Sequence, residues 1–108
     1  MFESLKDHRW KHRIIAYTLS DKDIILFKQV SAKHALAIKE RDLILISLSD
    51  ESQKALAENL HANIGKTELF LIGKDGGLKE RIDRLDLVYL FNLIDQMPMR
   101  QGEMRRAD

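Results

Sequence analysis

The run Leu69-Phe70-Leu71-Ile72-Gly73 leads into Lys74-Asp75-Gly76-Gly77 and then into the charged run Leu78-Lys79-Glu80-Arg81-Ile82. Asp-Gly between two strand-like runs is among the strongest local signals of a hairpin. Residues 67–73 and 78–82 are therefore predicted to pair antiparallel across a turn at 74–77. That pairing constrains what the rest of the chain can build. Upstream, the β-branched stretch at 12–17 reads as a strand. Ser20, three residues before Asp23, opens a helix over 21–39 with Ile24, Phe27, Ala35 and Ile38 at helical spacing. Residues 42–49 are almost continuously apolar, the pattern of a strand buried on both faces in the middle of a sheet. A helix over 51–60 ends at Asn63-Ile64-Gly65, and one over 84–96, with Leu87, Val88, Phe91 and Ile94 inward, is stopped by Pro98.

The order is thus β-α-β-α-β-β-α. A β-α-β unit runs parallel and right-handed and a tight hairpin antiparallel. The expected fold is α/β, a mixed four-stranded sheet with helices on both faces, which is the thioredoxin-type core. A chain of 108 residues makes one domain. Its core is expected over about 12–96, with a C-terminal arm at 97–108.

Composition narrows the chemistry. Eighteen basic and seventeen acidic residues give +1, so no bulk field draws in nucleic acid, and no stacking aromatic pair or helix-turn-helix pattern is present. No apolar run approaches the ~20 residues that span a bilayer, so no membrane partner is expected. The N-terminal residues lack the apolar segment of a secretory signal. The expectation is a cytoplasmic protein as the chain stands, and a periplasmic or exported one if a signal was trimmed. There is no cysteine, which removes disulfides, thiolate nucleophiles, cysteine-zinc sites and iron–sulfur clusters together.

Thioredoxins and peroxiredoxins place the reactive cysteine where the first strand meets the first helix. Here that segment reads Tyr17-Thr18-Leu19-Ser20-Asp21-Lys22-Asp23. Thiol–disulfide and peroxidase chemistry are excluded, and Thr18 or Ser20 as a substitute nucleophile lacks a nearby histidine base. Four segments, Arg9-Trp10-Lys11-His12-Arg13-Ile14-Ile15, Glu40-Arg41-Asp42-Leu43, the hairpin from Phe70 to Lys79, and the stretch from Ile94 through Met97-Pro98-Met99-Arg100 to Met104, carry a resemblance. The chain resembles a bacterial thioredoxin-like family of unknown function, itself similar to the DUDES-type domains of some secreted animal matrix proteins. The resemblance implies a peroxiredoxin-like scaffold without the redox motif, and carries over no activity.

The candidate site is the hairpin with the segment after the last helix. Lys74, Lys79, Arg81 and Arg100, with the backbone of Gly76 and Gly77, could form a patch for a carboxylate or phosphate. On the opposing reading the hairpin lysines only solvate a turn, and Arg100 pairs with Asp95 or Glu103. Met97 and Met99 either offer an adaptable docking edge or tuck under the sheet. His8 and His12 are four apart, but two ligands among Arg9, Lys11 and Arg13 make a poor metal site; His34 and His61 read as packing or capping residues. Neither a metal nor a cofactor is expected. The resulting expectation is a non-catalytic module that binds a protein partner or small anion, with a homodimer through a sheet edge or the C-terminal arm compatible with the sequence. The alternative is a non-thiol enzyme acting on a small anionic substrate.

Overall fold

The computed structural model describes residues 10–107. Its elements are β1 (Arg13–Thr18), α1 (Asp21–Lys33), α2 (Ala35–Glu40), β2 (Leu43–Ser47), a 3-10 turn (Glu51–Gln53), α3 (Lys54–Asn59), β3 (Glu68–Ile72), β4 (Leu78–Ile82), α4 (Leu87–Asp95) and α5 (Pro98–Ala107). The strands form one sheet in the order β2-β1-β3-β4. β1 runs parallel to β2 and antiparallel to β3, and β3 pairs with β4 antiparallel with a register shift between Leu71 and Ile72. This is the mixed sheet expected from a β-α-β unit joined to a hairpin.

Strand alternation sends successive side chains to opposite faces. On one face Ile15, Leu43, Leu69, Leu71 and Ile82 meet Phe27 of α1 and Leu87, Leu90, Phe91 and Ile94 of α4. On the other, Ile14, Ala16, Phe70 and Ile72 meet Leu48 and, from α3 and its end, Leu56, Ala57 and Leu60. β1 and β3 are the doubly covered centre of the molecule, and every residue of β3 is buried.

Three expectations need correction. The helix over 21–39 bends at His34, where φ is −104° and ψ 21°. The backbone ladder continues through the bend, His34 N–H to Val30 O at 3.0 Å and Ile38 N–H to His34 O at 2.9 Å, while the His34 ring packs edge-on against Phe91 at 5.7 Å. The apolar run at 42–49 is not central: β2 is an edge strand. It is apolar because packed clusters lie on both its faces, Leu45 against the one that holds Phe27 and the α4 side chains and Ile46 against the one that holds Leu56 and Ala57 of α3. Finally, the segment after Gln96 is a ten-residue helix rather than an arm. Pro98 ends α4 and also starts α5, a first-turn position where its missing N–H breaks no helical bond.

Candidate functional site

At the end of the sheet where β1 and β2 begin and β3 finishes, four charged side chains interlock. Arg13 is 1% exposed. It grips Glu103 of α5 with both terminal nitrogens, 3.1 Å each, and also donates to the Arg41 carbonyl at 2.9 Å. Lys74, at the exit of β3, donates to Glu103 at 2.7 Å and to Asp42 at 2.9 Å. Burial alone would push the Glu103 carboxyl up, but Arg13 and Lys74 outweigh it and hold it below its ordinary value. A second knot lies alongside. Asp95, at the end of α4, accepts from Arg41 at 2.7 and 3.1 Å and from Arg100 at 3.1 Å. It too is held below the usual range, the two guanidinium groups outweighing burial. Arg100 also donates to the Glu40 carbonyl at 3.0 Å, tying α5 to the end of α2.

Beside this clasp opens a cleft of about 300 Å³, lined by Arg13, Gly73, Lys74, Asp75, Lys79, Met97, Pro98 and Met99. The turn is set by Gly76, whose φ of +85° suits only glycine readily. Gly73 allows a close approach: a Cβ there would stand 2.6 Å from Lys79 Cε, so the lysine stem lies flat across the glycine. Met97 is half-buried against the α4-side core, whereas Met99 is 45% exposed at the rim. The methionines thus divide between the two roles read from the sequence, one packing and one presented.

The structure brings together Lys74, Lys79, Met97 and Met99, with Gly76 and Gly77 in the adjoining turn. It does not bring in Arg81, which points to the opposite face, pairing with Glu68 at 2.5 Å and lying over the Phe70 ring at 5.1 Å. Arg100 is buried and does not line the cleft. The backbone groups of the expected anion cradle are already used, Gly76 N–H by the Gly73 carbonyl at 3.0 Å and Gly77 N–H by Asp75 at 2.9 Å. Lys79 holds Asp75 at 2.8 Å; this ion pair, followed by the Gly77 N–H, keeps the Asp75 carboxyl below its ordinary value. Sequence reading did not single out Arg13, Asp42 or Gly73. Arg13 and Glu103 lie 90 positions apart, and no local spacing connects them.

The opposite end of the sheet holds the segment where this type of fold carries its thiol. Thr18 is buried and its hydroxyl donates to the Lys66 carbonyl at 2.6 Å. Ser20 precedes α1, yet its side chain makes no cap bond. Its N–H is instead donated to the Thr67 hydroxyl at 3.4 Å, and that hydroxyl in turn donates to Asp23. Hydroxyls here satisfy backbone and neighbouring side chains. His8 lies outside the described residues. Among those described, no group of three or more metal-ligating side chains converges, and no helix is long and apolar enough to cross a membrane.

Residues 4–103 match the family described as a domain of unknown function, DUF4174. The chain belongs to that family. Among solved structures, this DUF4174 chain is similar to the reduced 2-Cys peroxiredoxin of Plasmodium vivax. The TM-score is 0.68 at 12% identity, over 91% of this chain and 84% of that one. Such a likeness shows the fold, which is thioredoxin-like, here in a chain without cysteine. No curated protein matches it in sequence.

Proposed function

We propose that this DUF4174 chain is a non-catalytic binding module, and that its site is the cleft between the hairpin and Met97-Pro98-Met99. The observation that carries this reading is the state of the charges around the cleft. Arg13, Lys74 and Lys79 each already hold a carboxylate of the chain. A free phosphate or carboxylate would have to displace one of these partners, and for Arg13 and Lys74 that means breaking a buried pair. What the cleft offers a ligand is the Met-Pro-Met wall, the Lys79 stem and an ion pair at the rim. Such a surface suits a protein segment that seats an apolar side chain and meets Lys79 with an acidic one, displacing Asp75 from an exposed pair that contributes little, not a buried one.

The alternative, a non-thiol enzyme acting on a small anion, has less support. Among the described residues, the acidic side chain that lines this cleft, Asp75, is engaged by Lys79, which leaves no poised base there. NMR titration of the folded chain tests the choice, with short peptides that pair a leucine with glutamates and, in parallel, with inorganic phosphate and sulfate. Saturable shifts at Gly73, Lys79 and Met99 with the peptides, weakened in Met99→Ser, are expected. Saturable shifts with phosphate alone would favour the enzyme reading, and no shift with any probe would remove the cleft as a site.

A further inference from the structure

The two edges of the sheet are built differently. β4 carries Lys79, Glu80 and Arg81 and has an irregularity in register at Lys79, the devices by which edge strands avoid pairing with other chains. β2 carries none of them. Its five residues, Leu43-Ile44-Leu45-Ile46-Ser47, include no charge, proline or glycine, and four of the five are half-buried rather than buried.

The backbone of β2 can be followed group by group. Arg13 N–H is donated to the Asp42 carbonyl at 2.9 Å, and Leu48 N–H to the Tyr17 carbonyl at 2.8 Å. In a parallel ladder, alternate residues point both polar groups to the same side. Asp42, Ile44, Ile46 and Leu48 therefore face β1, and Leu43, Leu45 and Ser47 direct their N–H and C=O groups outward. Among the described residues, no strand lies beyond β2. Three donors and three acceptors are thus presented in a row along an uncharged strand.

We infer that the β2 edge is a homodimer interface, in which two copies pair β2 to β2 antiparallel about a two-fold axis through Leu45. The register follows from the pointing of the groups. Outward residues must face outward residues, so Leu45 opposes Leu45 of the partner subunit and Leu43 opposes Ser47 of the partner subunit. Each of these pairs exchanges ladder bonds, and Ile44 stands opposite Ile46 of the partner subunit in a non-bonded position. A second copy is the occupant that the strand itself specifies. A two-fold axis sets each strand against itself, and an uncharged strand is one that can meet its own copy without like charges facing. Pairing makes an eight-stranded sheet whose outer edges are the two guarded β4 strands. It also gives the apolar run of β2 the central position that its composition suggests.

The test uses the whole chain. Sedimentation from micromolar to millimolar concentration should show a reversible monomer–dimer equilibrium. Residue-resolved hydrogen exchange should show the amides of Leu43, Leu45 and Ser47 slowed at least roughly tenfold at the concentrated end, and exchanging freely when dilute. Those of Ile44 and Ile46, bonded within the monomer, should be protected throughout. Ile44→Lys sets a lysine on this edge at a half-buried side chain and should give a folded monomer. A chain that stays monomeric across the range overturns the inference. So does a dimer in which the three outward amides exchange equally fast at all concentrations. If Ile44→Lys does not fold, the exchange pattern of the unmodified chain still decides.

Discussion

The two ends of the sheet use polar residues for opposite purposes. At the end where α1 begins, the Thr18 hydroxyl donates to the Lys66 carbonyl, and the Thr67 hydroxyl accepts the Ser20 N–H and donates to Asp23, so the segment is closed. At the other end Arg13, Lys74, Arg41 and Arg100 are committed to Glu103, Asp42 and Asp95, and together they fasten α5 and the hairpin to the sheet. The difference teaches that a scaffold can keep its architecture while its interest moves to the far pole. Of the basic residues that look in sequence like an anion site, Lys74 and Arg100 belong to the clasp while Lys79 and Arg81 pair with Asp75 and Glu68, and the cleft is the open space beside the clasp.

Breaking the clasp should produce the largest effect. Arg13→Ala leaves Glu103 with Lys74 and a longer pair to Arg100, 3.8 Å, and removes a fully buried guanidinium. A loss of about 3–5 kcal/mol is expected in urea unfolding. Arg13→Met combined with Glu103→Leu should cost clearly less than the sum of the two single changes. Additive losses would mean that the pair does not act as a unit. The same clasp sets an acid limit. Glu103 and Asp95 are held below their ordinary values of 4.5 and 3.8. The unfolded chain therefore takes up protons first, and stability rises with pH in that window. The contribution is complete above the ordinary values and is lost as pH falls through the lowered ones. Stability measured from about pH 6 to about pH 2 should fall steeply below 4.5, with a shallower fall in Glu103→Gln.

At the closed end, Thr18→Val removes the donor to the Lys66 carbonyl and should cost about 1–3 kcal/mol, because that carbonyl loses its partner inside the protein. A change near zero would show that water reaches the site. The methionines sharpen the contrast within the cleft. Met97→Ser should cost roughly 1–3 kcal/mol, in keeping with its packing on the α4-side core. Met99→Ser should leave melting almost unchanged and act on binding alone. Equal destabilisation by both would show that Met99 also packs and would weaken the cleft as a docking surface.

How much of this was legible follows from what held each part together. The hairpin, the β-α-β unit and the Leu87, Phe91 and Ile94 face of α4 are local or periodic signals, and they emerged at their places; Val88, read as inward, is exposed, and Leu90 is buried in its stead. β2 was legible as a strand but not as an edge, because packed clusters on both faces give an edge strand the composition of a central one. α5 was missed because it has no apolar stripe; Arg100 and Glu103 fasten it, and ion pairs leave no period in a sequence. The site was half legible for the same reason. Lys74 and Lys79, and the two methionines, stand out as unexplained side chains in two short stretches of the last third of the chain. Their confinement by Arg13 and Asp42 depends on contacts across most of its length.

The smallest expected effect tests the closed end most sharply. Ser20 occupies the residue before α1 in extended conformation, where a serine usually accepts a helical N–H and its loss costs about 1 kcal/mol. Here the Ser20 side chain makes no such bond, and the Ser20 N–H is donated to Thr67, whose own hydroxyl reaches Asp23. Ser20→Ala should therefore change stability by less than about 0.5 kcal/mol, whereas Thr67→Val, which cuts both links at once, should cost more. The reverse order in thermal melts would mean that Ser20 caps α1 directly. The junction would then be a simple helix start, not a strand-to-helix tie made through Thr67.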